Sequence, residues 1–460
     1  MYGRTHRIHF VGVGGVGMCG IAEVLLNLGY QVSGSDLRSG EATERLSGLG
    51  GRIFPGHEAA NVEGAQVVVY STAVKPDNPE VVAARAQGIP VIPRADMLAE
   101  LMRMKYGIAV AGSHGKTTTT SLVAAVLARG GLDPTIVVGG RLQSTGSNAR
   151  LGHGQFLVAE ADESDGSFLR LSPAVAVITN IDREHLDHYG SLEELRQAFI
   201  YFANRVPFYG VSILCADDPQ VRGILPQVTK RHLLYGTAPD AALRAEDVRL
   251  GPQGSVFRVI SDGRELGTVS LELPGLHNVL NALAAMAVGL EIEVAFTHIA
   301  EALATFRGVG RRFETRGDVG GVKVVDDYGH HPTEIAATLA AARTLGRRVL
   351  VLFQPHRYTR TALLHREFGS CFGDADRVWV LDIYPAGESP VPGVTARTIV
   401  QSAEALGQKH LVHVGDAGAA IEAVAREARP GDLVLTLGAG DVGKLGDQLL
   451  ARLRGKPGER

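Results

Sequence analysis

Residues 106–120 read YGIAVAGSHGKTTTT: an apolar run breaks at Gly112, turns through Gly115 and resumes behind Lys116 with a pattern suited to a helix. Glycines at a helix N-terminus let backbone amides close on a polyphosphate, a lysine adds a point charge, and a hydroxyl directly after it reaches magnesium. Gly112, Ser113, His114, Gly115, Lys116, Thr117 and Thr118 are therefore the first candidates for phosphate binding. The spacing departs from the strict G-x4-GK pattern, because position 110 is valine. The strand-loop-helix setting is still the one the chemistry needs. Only eight of the 46 Lys and Arg residues are lysine, so Lys116 stands out.

The same grammar recurs outward in both directions. Apolar runs followed by glycine and then a helical pattern occur at 7–13, 66–71, 155–160, 175–180, 348–354, 377–383 and 432–438. Strands alternating with helices argue for parallel sheets with crossover helices, hence an α/β fold. At about 150 residues per domain, 460 residues suggest about three domains. Seams are expected after the helical pattern of residues 92–105 and around 307–312, where Gly308 and Gly310 interrupt the pattern after an alanine-rich helix. The expected domains are 1–105, 106–307 and 308–460, with Gly308 and Gly310 as a hinge. The 57 glycines, about 12% against roughly 7% in average usage, fit a chain with many strand-to-helix turns.

Composition narrows the class. With 45% hydrophobic and 21% charged residues the chain reads as globular, and a net charge of −3 without a long basic run gives no footprint for nucleic acid or a membrane surface. Cys19, Cys215 and Cys371 are scattered and odd in number, so neither a disulfide framework nor a CxxC zinc site is expected. The N-terminal run leads straight into a glycine loop rather than an apolar core with a cleavage site, and a cytoplasmic protein is expected.

That first loop is Gly12-Val13-Gly14-Gly15-Val16-Gly17, a GxGxxG between a strand and a helix, with Asp36 after the next strand. Alone it favours NAD, because the acid can meet a ribose hydroxyl. A nucleotide sugar carries a diphosphate too, so an oxidoreductase and a sugar-nucleotide enzyme both remain open at this point.

Acids follow the lysine loop. The run 155–159 ends in Glu160, with Asp162, Glu163 and Asp165 behind it, and the run 175–179 continues into Asn180, Asp182, Glu184, His185, Asp187 and His188. Carboxylates at strand ends beside a triphosphate loop suit magnesium. A third cluster, Asp326-Asp327-Tyr328-Gly329-His330-His331-Pro332, offers acids and histidines at one strand end. In the fourth, Gln354 to Thr361, the guanidinium groups of Arg357 and Arg360 can clamp carboxylate or phosphate.

Together GVGGVGMCGIA, GSHGKTTT, EADESDGSF, NIDREHLDHY, PGLHNVLNA, RRFE, DDYGHHPTEI and QPHRYTRT, in this order over essentially the whole chain, resemble the Mur ligases of peptidoglycan synthesis. The resemblance implies three α/β domains: a Rossmann-like N-terminal domain for a UDP-sugar, a central P-loop ATPase-like domain, and a Rossmann-like C-terminal domain for the incoming amino acid. It implies an ATP-dependent ligase acting through an acyl phosphate. By its alanine-adding branch, L-alanine is joined to the lactoyl carboxylate of UDP-N-acetylmuramate. ATP and Mg2+ are the implied cofactors, and the protein is expected to be a cytoplasmic monomer or homodimer.

By the same resemblance Gly12, Gly14, Gly15, Gly17, Asp36, Ser71, Thr72 and Ala73 hold the UDP-sugar. Lys116 binds the ATP phosphates, and Thr117, Glu160 and His185 bind metal, with Glu163 the alternative carboxylate. His277, Asn278 and Asn281 contact ATP, and Arg311 or Arg312 approaches its phosphates. Asp326, Tyr328, His330, Arg357 and Arg360 line the pocket for the carboxylate and the amino acid, with His330 orienting or deprotonating the amine and Asp326 supporting it. Several sister ligases hold a second magnesium through a carbamylated lysine, but no lysine lies between Lys116 and Lys230 here. A branch that re-ligates whole peptides to UDP-N-acetylmuramate is the alternative within the family; an NAD-dependent oxidoreductase is the alternative outside it.

Overall fold

The computed structural model describes residues 6–71, 73–138 and 149–455. Its strands form three sheets. The first is fully parallel, in the order Arg52–Pro55, Gln31–Asp36, Arg7–Val11, Val67–Tyr70, Val91–Pro93. Arg7–Val11 lies in the middle, so the glycine loop that follows it opens at the strand ends where such sheets bind ligands.

The second sheet has ten strands. At its centre Tyr106–Ala111 pairs in parallel with Phe156–Glu160 on one side and Val175–Ile178 on the other. The segments after these three strands, 112–115, 160–165 and 179–185, therefore leave the sheet at neighbouring strand ends. Adjacency in the sheet gathers residues up to 73 positions apart in sequence.

The third sheet runs Glu314–Val319, Val322–Asp327, Leu433–Leu437, Val349–Phe353, Arg377–Leu381, Leu411–Gly415, antiparallel at the first pair and parallel after it. Val349–Phe353, sequence VLVLF, shows why a buried parallel strand reads as unbroken apolar sequence. Val349, Val351 and Phe353 pack in one apolar cluster with Ile335, Leu339 and Phe368, whereas Leu350 and Leu352 pack in another with Val424, Leu449 and Leu453. Helices cover both faces, so neither half of the alternation can be polar.

By internal packing the chain forms two compact units, one built from described parts of 1–248, 257–270 and 279–306, the other from 249–256, 271–278 and 307–460. The first unit contains the first sheet and the centre of the second. Within it the helix Arg94–Arg103 contributes Met97, Leu98, Leu101 and Met102 to the same apolar cluster as Ile178, Phe199 and Phe202, and Arg170 pairs with Asp96 at 2.9 Å. Each large apolar side chain buried this way contributes about 1.5–3 kcal/mol. Among the described residues no helix is long and apolar enough to cross a membrane.

Candidate active site

The lysine loop is built by conformations only glycine takes easily. Gly112 has φ +130° and Gly115 φ +80°, and the helix Lys116–Arg129 starts directly behind them. A Cβ on Gly112 would collide with Thr179 Oγ1, and one on Gly115 would lie 2.6 Å from Asn281 Oδ1. Thr119 Oγ1 donates to that same Asn281 oxygen at 3.1 Å, so Asn281 braces the loop and the first turn of the helix. Loop residues Ser113 and His114 are tied to the neighbouring strand end: Asp182 N donates to Ser113 Oγ at 2.8 Å, His114 N to Asn180 Oδ1 at 2.8 Å, and Thr179 Oγ1 to the His114 carbonyl at 2.6 Å. His114 Nε2 also lies 2.8 Å from Asp182 Oδ2.

Lys116 bends back over this loop. Its Nζ donates to the carbonyls of Gly112 at 2.8 Å and Ser113 at 3.2 Å, and lies 2.7 Å from Glu163 Oε2. Burial alone would lower the lysine pKa, but the charges of Glu163, Asp162 and Glu160 outweigh it and hold the pKa above the ordinary value. Glu163 is wholly buried, and burial pushes its carboxyl up to about 7 against the pull of Lys116.

Thr117 Oγ1 donates to both oxygens of Glu160, at 3.1 and 3.0 Å. His185 has φ +56°, and its Nε2 lies 3.7 Å from Glu163 Oε1 and 3.9 Å from Glu184 Oε2. Thus Thr117 meets Glu160, and His185 meets Glu163 and Glu184. Glu184 was not singled out in the sequence, where it reads as one acid among several; only the strand-end turn aims it. Hydroxyl and carboxylate oxygens with one imidazole are a donor set that suits a hard divalent cation.

The first glycine loop is closed by its own partners. Gly12 N and Val13 N donate to the Ser35 carbonyl at 2.8 and 3.0 Å, and Gly14 N donates to Asp36 Oδ2 at 2.9 Å. A Cβ on Gly14 would sit 2.9 Å from that carboxylate, and one on Gly17 3.1 Å from Arg94. Ser71 Oγ accepts from Ala73 N at 3.4 Å; Thr72 lies outside the described residues.

In the second unit Arg311 and Arg312 part company. Arg311 Nε pairs with Asp326 at 2.9 Å and its NH2 donates to the Gly438 carbonyl at 2.8 Å, fastening the strand Val322–Asp327 to the loop after Leu433–Leu437. Asp326 also accepts from Thr436 Oγ1 at 2.7 Å and is 1% exposed, so its described partners are Arg311 and Thr436. Both guanidinium groups lie over Tyr328, Arg311 5.0 Å and Arg312 5.1 Å from the ring centroid, but Arg312 turns to Glu334 at 3.6 Å. Burial and the Arg312 charge hold the His277 pKa down at about 4, and Asn278 Nδ2 donates to the Pro274 carbonyl at 2.8 Å.

His330 stands edge-on to Tyr328 at 5.4 Å and to His356 at 5.7 Å. Its Nδ1 lies 3.0 Å from the Tyr328 carbonyl and 3.4 Å from Glu334 Oε2, two acceptors that place a proton on Nδ1. His356 stacks on Tyr384 at 5.6 Å, and burial with His330 and Arg360 nearby lowers its pKa to about 3. Arg357 has φ +71°, and its buried Nε has no hydrogen-bond partner among the described residues. Glu334 and Tyr384 were not anticipated. Glu334 is visible in retrospect as the acid three residues after the helix cap His331, whereas nothing local marks Tyr384.

A glycine-lysine loop opening a helix behind a strand with parallel neighbours on both sides defines the P-loop class of phosphate-binding α/β proteins. Three family models cover the chain: "Mur ligase family, catalytic domain" matches residues 7–106, "Mur ligase middle domain" 110–289 and "Mur ligase, glutamate ligase domain" 311–440. The chain belongs to the Mur ligase family. Among its relatives, UDP-N-acetylmuramate–L-alanine ligase of Geobacter sp. (strain M21) is 58% identical over 99% of both chains, and that of Desulfatibacillum aliphaticivorans 55% identical over 98% of this chain and 99% of its own. The crystal structure of the UDP-N-acetylmuramate–alanine ligase of Thermotoga maritima superposes with a TM-score of 0.81 at 30% identity, over 98% of this chain and all of that one. A murein peptide ligase of Psychrobacter arcticus shares the fold, with a TM-score of 0.71 at 24% identity over 98% of this chain and 99% of its own.

Proposed function

We propose that the protein joins L-alanine to the lactoyl carboxylate of UDP-N-acetylmuramate with cleavage of ATP to ADP and phosphate. The observation that carries this reading is the full-length likeness, at 55–58% identity, to ligases named for that reaction. Residues 1–105 are assigned to the UDP-sugar, 106–307 to ATP and 308–460 to the amino acid.

A carboxylate does not react with an amine at neutral pH, because oxide is too poor a leaving group. Attack of the lactoyl oxygen on the γ-phosphorus of ATP releases ADP and leaves an acyl phosphate. Lys116, kept protonated by its acidic neighbours, offsets the charge of that transfer. Thr117 and Glu160 with His185 would hold magnesium, which, when bound, supplies charge neutralisation at the phosphates. Glu160 is preferred to Glu163 as the metal carboxylate because Glu163 is already engaged by Lys116. Arg312 is assigned to the ATP phosphates and Arg311 to a bracing role, since Arg311 is spent on Asp326 and Gly438.

The neutral amine of alanine then attacks the acyl carbon, and phosphate leaves as the tetrahedral intermediate collapses. With Nδ1 committed as a donor to the Tyr328 carbonyl, the neutral form of His330 would take the amine proton through Nε2. The unpartnered Arg357 Nε and the adjacent Arg360 are suited to a carboxylate. Asp326 supports this end of the strand through Arg311 and Thr436 rather than by contact with His330.

The test is ADP release with UDP-N-acetylmuramate and, in turn, alanine, glycine, serine and a tripeptide. A preference for alanine is expected, with modest leakage to glycine and serine because one methyl or hydroxyl is worth only about 1–3 kcal/mol. Turnover faster with the tripeptide would replace this reading with peptide re-ligation. Reduction or oxidation of a nicotinamide without ADP release would replace it with the oxidoreductase.

A further inference from the structure

A buried carboxylate in the first sheet takes no part in the chemistry above. Glu80, in the first turn of the helix Pro79–Ala86, has no exposed surface. Its Oε2 accepts from Ser35 Oγ at 2.6 Å and lies 3.0 Å from His57 Nδ1; its Oε1 accepts from Asn61 Nδ2 at 2.6 Å and lies 3.6 Å from His9 Nε2. His9 is itself fully buried and bonded through Nδ1 to Ser33 Oγ at 2.9 Å. Burial alone would raise the Glu80 pKa, but His9, Ser35 and Asn61 outweigh it and hold it at about 2.

The partners are spread over the binding end of the sheet. Ser35 is the last residue but one of the strand Gln31–Asp36, and its carbonyl receives the Gly12 and Val13 amides. His57 follows the strand Arg52–Pro55. Glu80 itself is fixed by Asn78, whose Oδ1 accepts from Glu80 N at 2.9 Å, in the segment after Val67–Tyr70 that also brings Val74 within 3.5 Å of a Cβ on Gly12. A core of this size could be filled by aliphatic side chains, and a buried ionic cluster is weak evidence for stability in itself. What it supplies is fixed directions between three loops.

We propose that Glu80 is a positioning residue for nucleotide-sugar binding: through Ser35 and His57 it holds the glycine loop and the segment carrying Val74 and Asn78 in one register, without touching the reacting atoms. The proposal rests on the reading that this loop takes the UDP-sugar diphosphate. It deepens that reading by naming what sets the affinity of the cradle.

The experiment is steady-state kinetics in all three substrates, with calorimetric titration of UDP-N-acetylmuramate, on wild type, Glu80→Ala, Glu80→Gln, Ser35→Ala and the Ser35→Ala/Glu80→Ala pair. Glu80→Ala is expected to raise KM and Kd for UDP-N-acetylmuramate tenfold or more, with kcat and the KM values for ATP and alanine within twofold of wild type. Glu80→Gln, which keeps the shape and one acceptor, should recover most of that loss. Ser35→Ala leaves the carboxylate its other partners and guards against a misfolded Glu80→Ala; it should raise the same KM, and the pair should cost less than the product of the singles. Unchanged sugar affinity in folded Glu80→Ala or Ser35→Ala, or parallel losses for all three substrates, overturns the proposal. A wild-type protein that binds no UDP-N-acetylmuramate removes the underlying reading instead, and that is seen before any variant is made.

Discussion

Lys116 shows how one side chain couples stability to chemistry. Its partner Glu163 is wholly buried while Lys116 is partly buried, and removing one member of a buried ion pair costs up to about 3–5 kcal/mol because the other charge is left unpaired. Lys116→Ala should therefore abolish ADP formation and lower the melting temperature together. Adding Glu163→Gln should restore much of the melting temperature and none of the ADP release; ADP release returning with it would show that the lysine is structural only. Two histidines make a pH prediction. His277 and His356 have folded pKa values lowered to about 4 and about 3, whereas the unfolded rings titrate near 6.5. Below about pH 6.5 the unfolded chain binds protons that the folded chain refuses, so this stability is complete above 6.5 and falls as the pH drops toward 4 and 3, by at most about 1.4 kcal/mol per pH unit for each ring. Melting temperatures taken from pH 7.5 to 5 should show a shallower acid slope in His277→Asn and His356→Asn than in wild type; identical slopes would remove these rings from the account.

Among elements, the helix Lys116–Arg129 depends most on its entry. Gly115 caps it at φ +80°, where an alanine pays about 1–2 kcal/mol for the left-handed backbone and would also crowd Asn281. Gly115→Ala is expected to lower the melting temperature by several degrees and raise KM for ATP more than tenfold, leaving KM for UDP-N-acetylmuramate within twofold. Equal changes in both KM values would mean that the loop serves the fold as a whole. The helix Pro332–Arg343 is entered differently: the Glu334 carboxylate accepts from His330 N at 3.0 Å and His331 N at 3.2 Å, so the cap that starts the helix also orients His330. Capping and site geometry are one feature there, which is why a motif read for its histidines also needed its glutamate.

At the scale of the molecule the two compact units predict separable unfolding. Differential scanning calorimetry should resolve two transitions, and saturating UDP-N-acetylmuramate should raise the one belonging to the unit with the first sheet, by about 2.7 kcal/mol at a hundred times Kd. A single transition that shifts as a whole would show the units to be cooperative.

The class of fold, the order of the loops and the placing of most candidate site residues at strand ends were legible in the amino-acid sequence, because glycine before a helix, an apolar run before that glycine, and polar groups directly after a strand are local consequences of backbone geometry. Local patterns do not say which strands lie side by side. That was decided by the sheets: pairing Tyr106–Ala111 between Phe156–Glu160 and Val175–Ile178 brings Glu163 to both Lys116 and His185, and pairing Arg7–Val11 between Gln31–Asp36 and Val67–Tyr70 lets Glu80 meet Ser35 and His9. Arg311 and Arg312, equivalent in the string of letters, were separated only when φ +59° at Arg311 accompanied its side chain turning to Asp326. Partners fixed by sheet order are many residues apart, and only packing, which buries both faces of each strand at once, chooses that order.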